Sequence, residues 1–278
     1  MRRSRAATVL LTTAAALVAV SVFLPLWWVF ASSLRPGNTY VENMTPLSWL
    51  AFIPIGGDFT NYAALGSGAF LLGLFNSFLV AGLTIVLGLA IAIPAAYALA
   101  TMRFPGRGLV FSFIIVVAMI PFDAIAIPLS SLFQQWRLSD SYAGLILPAL
   151  ANGFAIFVMR QFFMGIPQEL IEAAEVDGLG RFRTLWSIVL PLSKPALIGA
   201  GMMLFLSQWQ AYLWPLLIGT SPERQLAPIV LANLSTQFTV DLGQILAGSF
   251  VLSIIPMILL LFFQKQYTES LSTTGLKG

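Results

Sequence analysis

Long runs without a charged residue are the feature that most limits how this chain can fold. Residues 6–34 carry no charge over 29 positions, and none occurs between Asp58 and Arg103. An α-helix of about 20 residues crosses the hydrocarbon core of a bilayer, so each run is long enough to span a membrane. Hydrophobic residues make up 58% of the 278 positions and charged residues 9%, a balance that ordinary soluble domains do not have. The sequence therefore predicts an integral membrane protein.

Successive apolar segments predict an all-α membrane protein with six transmembrane helices. For the first segment a cleaved signal peptide is the alternative, because three arginines precede it, but the segment continues past signal length into Trp27-Trp28, which suits an interfacial belt. We expect Arg35–Ser67 to be an external loop with little regular structure and the tail Lys265–Gly278 to be mobile. The predicted spans are 6–34, about 70–100, 109–131, 141–159, a helix within 195–222, and 242–264.

The distribution of Lys and Arg predicts which side of the membrane each loop occupies. Placing the N-terminus in the cytoplasm puts 11 of the 14 basic residues inside and leaves only Arg35, Arg137 and Arg224 outside. The positive-inside rule therefore predicts that both termini are cytoplasmic.

Composition also excludes several classes of site. The chain has no Cys and no His, so it lacks the residues of disulfides, thiol nucleophiles and typical zinc sites, and we predict neither a catalytic residue nor a metal site. The net charge of +3 is scattered through short loops instead of forming a basic stripe, which argues against nucleic acid as a partner.

One polar, charge-dense segment, Ile166–Pro195, interrupts the apolar pattern. Pro167 and Glu169 are typical of a helix start and Gly178 of a helix end, so a short helix is predicted between them. A second helix is predicted over 181–190, with an apolar stripe of Phe182, Leu185 and Val189, ended by Pro191. An amphipathic hairpin that rests on the membrane surface is the alternative interpretation.

The order of residues in this segment resembles the cytoplasmic coupling loop of ABC importer permeases. The matching residues are Glu172-Ala173-Ala174, Asp177-Gly178, Ile188 and Leu190-Pro191, which lie between two predicted spans. Further motifs resemble the carbohydrate-uptake subfamily, of the maltose and glycerol-3-phosphate permease type. They are Phe59-Thr60-Asn61-Tyr62, Ala95-Ala96-Tyr97-Ala98, Phe104-Pro105-Gly106, Asp140-Ser141-Tyr142-Ala143-Gly144-Leu145, Tyr212-Leu213-Trp214-Pro215 and Thr274-Gly275-Leu276-Lys277-Gly278. Trp209-Gln210 departs from the Trp-Asn that is frequent in the family, which weakens any transfer of the solute by analogy.

The resemblance implies a type I importer permease fold, a single permease domain over 1–278 with the coupling loop at 163–195, and a place in the bacterial cytoplasmic membrane. It also implies a second related permease, two ATPase subunits and an extracytoplasmic solute-binding protein as partners, besides the lipid bilayer. The chain contains no G-x-x-x-x-G-K-[ST] phosphate loop. We therefore expect it to be no enzyme and to bind no cofactor, with ATP and Mg held by the partner ATPase.

Within the coupling loop the resemblance assigns contact with the ATPase to Glu172, Ala173, Ala174, Asp177 and Gly178. Glu172 is expected to pair with an ATPase arginine, while the two alanines allow close approach and Gly178 lets the chain turn. The solute that the transporter carries is expected to be a sugar, polyol or glycerol-phosphate compound.

Polar residues in the fifth span are candidates for the translocation path. On a continuous helix Gln208 and Tyr212 share a face, and with Trp209 they offer amide and aromatic groups suited to a sugar. Hydrogen bonds between helices, to the partner permease, are the alternative role.

Asp123 is the exceptional charge of the third span and the fourth path candidate. It lies 15 residues beyond Gly108, roughly 22 Å along a straight helix, and is flanked by Pro121 and Pro128. A carboxylate at the headgroup level and one that pairs within the permease dimer are the alternatives. A transporter or channel that works alone, with Asp123 as its ion site, is the competing function, and the absence of an inverted repeat counts against it.

Overall fold

The computed structural model describes residues 5–35, 48–54, 56–66, 68–235 and 241–275, and side chains within 8–266 of those ranges. Every regular element of more than one residue in this described part is helical. The helices are α1 (Arg5–Ser33), α2 (Thr60–Gly66), α3 (Ala69–Thr101), α4 (Arg107–Ala118), α5 (Phe122–Gln135), α6 (Tyr142–Leu150), α7 (Gly153–Met164), α8 (Gln168–Val176), α9 (Arg181–Thr184), α10 (Leu190–Leu192), α11 (Lys194–Trp209), α12 (Leu213–Ile218), α13 (Ala227–Asn233) and α14 (Leu242–Gly275).

Three helices, α1, α3 and α14, are long and apolar enough to cross a membrane unbroken. Three further pairs are bent at a short break: α4 with α5 by 91°, α6 with α7 by 43°, and the segment Arg181–Leu192 with α11 by 85°. The count reaches six spans if each bent pair is one span, which agrees with the predicted all-α fold.

The third predicted span is therefore not a straight helix. α4 ends at Ala118 and α5 begins at Phe122, directly after Pro121. Proline lacks the N–H that an unbroken helix would need at this point, and it restricts the residue before it to extended backbone. The distance of roughly 22 Å along a straight helix, expected for Asp123, is wrong for this reason.

The prediction of little regular structure in the loop after the first span needs correction, whereas the predicted mobility of the tail stays a prediction. The loop Arg35–Ser67 contains a 3₁₀ turn at Trp49–Phe52 and the helix α2, although its residues 36–47, 55 and 67 lie outside the described part. The polar tail continues α14 as far as Gly275, so its first eleven residues are helical.

The chain divides into two compact units: Met1–Leu72 with Val230–Ile255, and Gly73–Ile229 with Pro256–Gly278. In the first unit, Arg35 is buried and donates to the carbonyl oxygens of Leu50 and Ile53. The prediction of a single permease domain stays a prediction.

The second unit contains two apolar clusters. One joins the C-terminal half of α3 to α7, α11 and the residues that follow α9, and its members include Ala96, Met159, Leu185 and Leu204. The other joins α5, α6 and α12 around Phe133, Trp214 and Ile218. The first cluster positions the candidate coupling segment.

Candidate functional site

The predicted coupling helix is α8, and the chain leaves it through a tight left-handed turn at Gly178. This residue has φ +80°. The N–H of Gly178 donates to Glu175 O at 3.0 Å and the N–H of Leu179 donates to Ala174 O at 2.9 Å. These two bonds form a Schellman motif, which satisfies the last carbonyl groups of a helix and ends it sharply. The prediction that Gly178 permits a turn is confirmed.

The Glu172-Ala173-Ala174 triplet does not lie on one exposed face. The side chains of Glu172 and Ala173 are exposed, whereas Ala174 is only 2% exposed. The expectation that both alanines face a partner is therefore wrong for Ala174, because Ala174 packs inside this chain. Glu172, Ala173, Asp177 and Gly178 remain available to a partner.

Apolar side chains also project from this segment. Val176 is 88% exposed and Phe182 73% exposed. The rings of Phe182 and Trp186 lie one helical turn apart, with their centroids 6.0 Å from each other. We name Glu172, Ala173, Val176, Phe182 and Trp186 the coupling surface.

The predicted stripe of Phe182, Leu185 and Val189 is correct only in its last two members. Leu185 and Val189 are buried in the cluster around Met159, while Phe182 points outward. Residues Leu185–Val189 form a π-helix, and its wider turns change the register of the residues before it relative to those after it.

The coupling segment is fixed to the fifth span at a buried corner. The hydroxyl of Ser193 is fully buried and donates to Val189 O at 2.7 Å. The helix ends at Leu192, one residue beyond the predicted stop at Pro191, and the chain then turns by 85° into α11. Packed groups thus join the coupling segment to α11.

A cavity of about 490 Å³ lies between α8 and the end of α3. Both signs of charge line it: Glu172 and Glu175 from α8, and Arg103, Arg107 and Arg181. The cavity therefore brings basic side chains and the acidic side chains of α8 to one opening.

Arg107 and Arg160 bind carbonyl groups in the last turn of α3 and directly after it. Arg107 Nη1 donates to Met102 O at 3.0 Å, and Arg160 Nε donates to Leu99 O at 3.1 Å. The guanidinium of Arg160 also lies over the Phe111 ring, 4.0 Å from its centroid. Cationic groups at a helix C-terminus are favourable because the carbonyl ends carry partial negative charge.

The candidates for the translocation path are not brought together on one helix face. α11 ends at Trp209, so Tyr212 does not follow Gln208 by one helical turn, and the argument from spacing is wrong. Gln208 Nε2 donates to Thr84 Oγ1 of α3 at 3.1 Å. Trp209 is 4% exposed and packs against the rings of Phe78 and Phe205. Tyr212 is 46% exposed.

Asp123 lies in the first turn of α5, next to the 91° break, and its side chain is exposed. A carboxylate in this position is favoured by the partial positive charge of the helix N-terminus. Of the four path candidates, Asp123 and Tyr212 are thus exposed, Gln208 is partly buried and Trp209 is enclosed by this chain.

One polar network was not predicted as a site. The fully buried amide of Asn76 donates to Glu223 O and Gln225 O, each at 3.0 Å, and accepts from the Tyr142 hydroxyl at 2.7 Å. Asp140 Oδ1 accepts from the Ser221 N–H at 2.8 Å. This bond and the positive charge of Arg224 lower the pKa of the Asp140 carboxyl. Asn76, an amide within a long uncharged stretch of sequence, was the feature that could have indicated this network, because a buried amide needs hydrogen-bond partners.

Comparison with known proteins places this chain among membrane transport proteins. The family described as "Binding-protein-dependent transport system inner membrane component" matches residues 85–269. A permease protein of an arabinooligosaccharide transport system from Halalkalibacterium halodurans is 33% identical and covers 97% of this chain and 96% of its own. A permease protein of an sn-glycerol-3-phosphate transport system from Yersinia pestis is 34% identical, covering 90% of each chain.

A solved structure shows the same fold. A chain from a bacterial ABC transporter involved in importing the acidic polysaccharide alginate superposes with a TM-score of 0.78, at 23% identity, over 96% of this chain and 99% of that chain. The family match covers more than half of the sequence and includes the whole coupling segment. The chain therefore belongs to the family of inner-membrane components of binding-protein-dependent transport systems, as a multi-pass permease.

Proposed function

We propose that this permease takes up a sugar, polyol or glycerol-phosphate solute, using ATP that a separate subunit hydrolyses. The observation that carries the proposal is the coupling surface, a group of exposed acidic and apolar side chains on α8 and the helical segment that follows it, which is anchored in the permease core through Ala174, Leu185 and Val189. The names of the relatives, which transport arabinooligosaccharides or glycerol-3-phosphate, support the class of solute.

The proposed assembly contains a second related permease, two ATPase subunits and an extracytoplasmic solute-binding protein. The description of the family, which names a binding protein, supports the last of these partners. ATP and Mg are assigned to the ATPase because the whole sequence lacks a phosphate loop. In the proposed topology the coupling surface and both termini lie in the cytoplasm.

The coupling surface has the composition expected for a protein interface. Phe182 and Trp186 provide apolar anchors, of the kind that dominates binding energy in alanine scans. Glu172 adds one charge on the same segment, and Ala173 leaves room for close approach. We propose that a cleft of the ATPase receives these residues and that an ATPase arginine pairs with Glu172.

Replacement of Glu172 by alanine tests this assignment. We expect Glu172→Ala to reduce solute uptake by the assembled transporter at least tenfold, because truncating one partner of a shielded charge pair costs about 2–5 kcal/mol. Membrane insertion is expected to be normal, since the side chain is exposed.

The matched control is Glu169→Ala, which removes an equal charge one turn earlier on α8 and is expected to leave uptake close to wild type. Equal uptake by the wild type and Glu172→Ala complexes would reject the assignment. If no ATPase co-purifies with the wild-type chain, the importer proposal itself fails in favour of a transporter that works alone.

We further propose that Asp123, with Tyr212 and Gln208, faces the translocation path. Asp123→Asn is expected to preserve assembly of the transporter yet change the apparent KM for uptake by about tenfold, because it removes the charge while it retains the shape of the side chain. Thermal stability of the purified protein should change little, since Asp123 is exposed.

Asp123→Leu separates this role from a carboxylate at the headgroup level. A path residue predicts that Asp123→Leu impairs uptake at least as much as Asp123→Asn does. Normal uptake by both variants would assign Asp123 to the membrane surface.

A further inference from the structure

An open hollow of about 520 Å³ lies at the turn between α3 and α4. It is lined by Arg103, Phe104, Pro105 and Arg107. Both charged residues of this lining are basic. The turn is made by Gly106 at φ +80°, and the N-terminus of α4 has no side-chain cap, so its first N–H groups add positive potential on the same side.

The same two arginines also line the cavity beneath α8, where they meet acidic residues. On that side Glu172 and Glu175 balance part of their charge. On the side of the open hollow no carboxylate is among the lining residues. Arg107 uses Nη1 to bind the end of α3, and a guanidinium has five N–H donors in all. Donors of both arginines can therefore serve an anion in the open hollow.

The hollow lies where an apolar span meets water. Arg103 is the first charged residue after Asp58, and α3 ends two residues before it. Beyond the hollow, α4 exposes Val110, Phe113 and Val117, which follow one another at three- and four-residue spacing and so form one stripe. The surface thus combines a cationic hollow with an apolar stripe that leads away from it.

We propose that this surface binds an anionic phospholipid, with its phosphate at Arg103 and Arg107 and an acyl chain along Val110, Phe113 and Val117. Guanidinium groups bind phosphate oxygens through paired, charge-assisted hydrogen bonds. Basic pockets between membrane helices are known to bind anionic lipid head groups. A free phosphate would use the arginines but not the apolar stripe.

The proposal is tested by titrating the purified full-length chain with phosphatidylglycerol and following bound lipid by native mass spectrometry. Arg103→Gln is expected to weaken phosphatidylglycerol binding about fivefold, the factor for losing one basic residue near an anionic headgroup. Arg103 is chosen because Arg107 also binds α3 and its loss can impair folding. Arg183→Gln is the matched control, because Arg183 is exposed and does not line the hollow.

Phosphatidylcholine and inorganic phosphate provide the remaining comparisons. Weak binding of phosphatidylcholine and failure of millimolar inorganic phosphate to displace phosphatidylglycerol support a lipid site. Equal binding of the two lipids, or equal loss in Arg103→Gln and Arg183→Gln, overturns the proposal. Displacement by inorganic phosphate overturns it too, since the hollow would then be a site for a soluble anion. Phe113→Ser supplies an independent check: it should weaken phosphatidylglycerol binding while it leaves Arg103 in place.

Discussion

Gly178 combines a left-handed backbone conformation with open surroundings. A Cβ atom built on it would meet nothing within 4 Å, so steric contact with other residues does not require glycine here. The requirement comes from φ +80° alone, where a Cβ atom crowds its own backbone. Gly180, two residues later, has φ −70° and equally open surroundings, so the two positions differ only in conformation.

This difference predicts the effects of substitution. Gly178→Val is expected to destabilise the turn by about 1–2 kcal/mol and to reduce assembly with the ATPase, whereas Gly180→Ala should be close to neutral. Gly178→Asn should destabilise the turn much less than Gly178→Val does, because asparagine tolerates the left-handed region. Co-purification of the ATPase with each variant measures the effect. Normal assembly by Gly178→Val would show that the turn is not needed for docking.

At the level of loops and helices, the connection from α12 to α13 is held by side chains from two other segments. Asn76 of α3 binds two of its carbonyl groups, and Asp140 binds its Ser221 N–H. Asp140 itself has φ +53° and its N–H donates to Ile218 O at 2.7 Å. Asp140 is thus held in a strained conformation by hydrogen bonds from both its backbone and its side chain to this connection. We therefore expect the connection to adopt one conformation.

The lowered pKa of Asp140 gives this connection a pH dependence. The folded state favours the ionised carboxyl of Asp140. Its charge therefore stabilises the connection at pH values above the ordinary carboxyl pKa of about 3.9. The stabilisation is lost as the pH falls through the lowered pKa of the folded state. We expect amide hydrogen exchange over 219–226 to be faster in Asp140→Asn than in the wild type at pH 7, by a small factor because the group is solvent-screened. After correction for intrinsic exchange, the difference should shrink as the pH falls below the ordinary pKa and through the lowered pKa of Asp140. A difference that does not shrink with falling pH would show that the hydrogen bond, not the charge, is responsible.

The contrast between α8 and the third span shows what the sequence could predict. The ends of α8 follow from local signals, Glu169 in the first turn and Gly178 after the last, and the structure has both. The break before Pro121 was harder to predict, because Pro25, Pro94 and Pro256 each lie inside a continuous helix. Whether a proline bends or ends a helix depends on the groups that satisfy the freed backbone, and those come from distant residues.

The neighbours of the path candidates were hard to predict for a similar reason. Trp209 and Gln208 are polar or aromatic residues in a span, a pattern that predicts contact with protein or water in place of lipid. Their actual neighbours, Phe78 and Thr84, belong to α3, and one sequence carries no direct signal for such a pairing. Local ends of elements could thus be predicted, whereas partners across helices could not.

For the whole molecule, the absence of Cys makes topology directly testable. Ser187→Cys lies on the coupling segment and Thr220→Cys on the connection before α13, and both native side chains are exposed. A membrane-impermeant maleimide applied to intact spheroplasts should label Thr220→Cys and reach Ser187→Cys only after permeabilisation. The Cys-free parent controls for background labelling. Labelling of both positions before permeabilisation would contradict the predicted orientation.

The break between α4 and α5 has a consequence for biosynthesis. α4 contains 12 residues and is about 18 Å long, too short to cross the bilayer core of about 30 Å. In the folded chain α5 packs against α12, which is synthesised about ninety residues later, a delay of roughly 5 to 18 s at bacterial and eukaryotic elongation rates. During that interval the α5 face that contacts α12 lacks its partner. The nascent third span therefore enters the membrane before α5 can form its contact with α12.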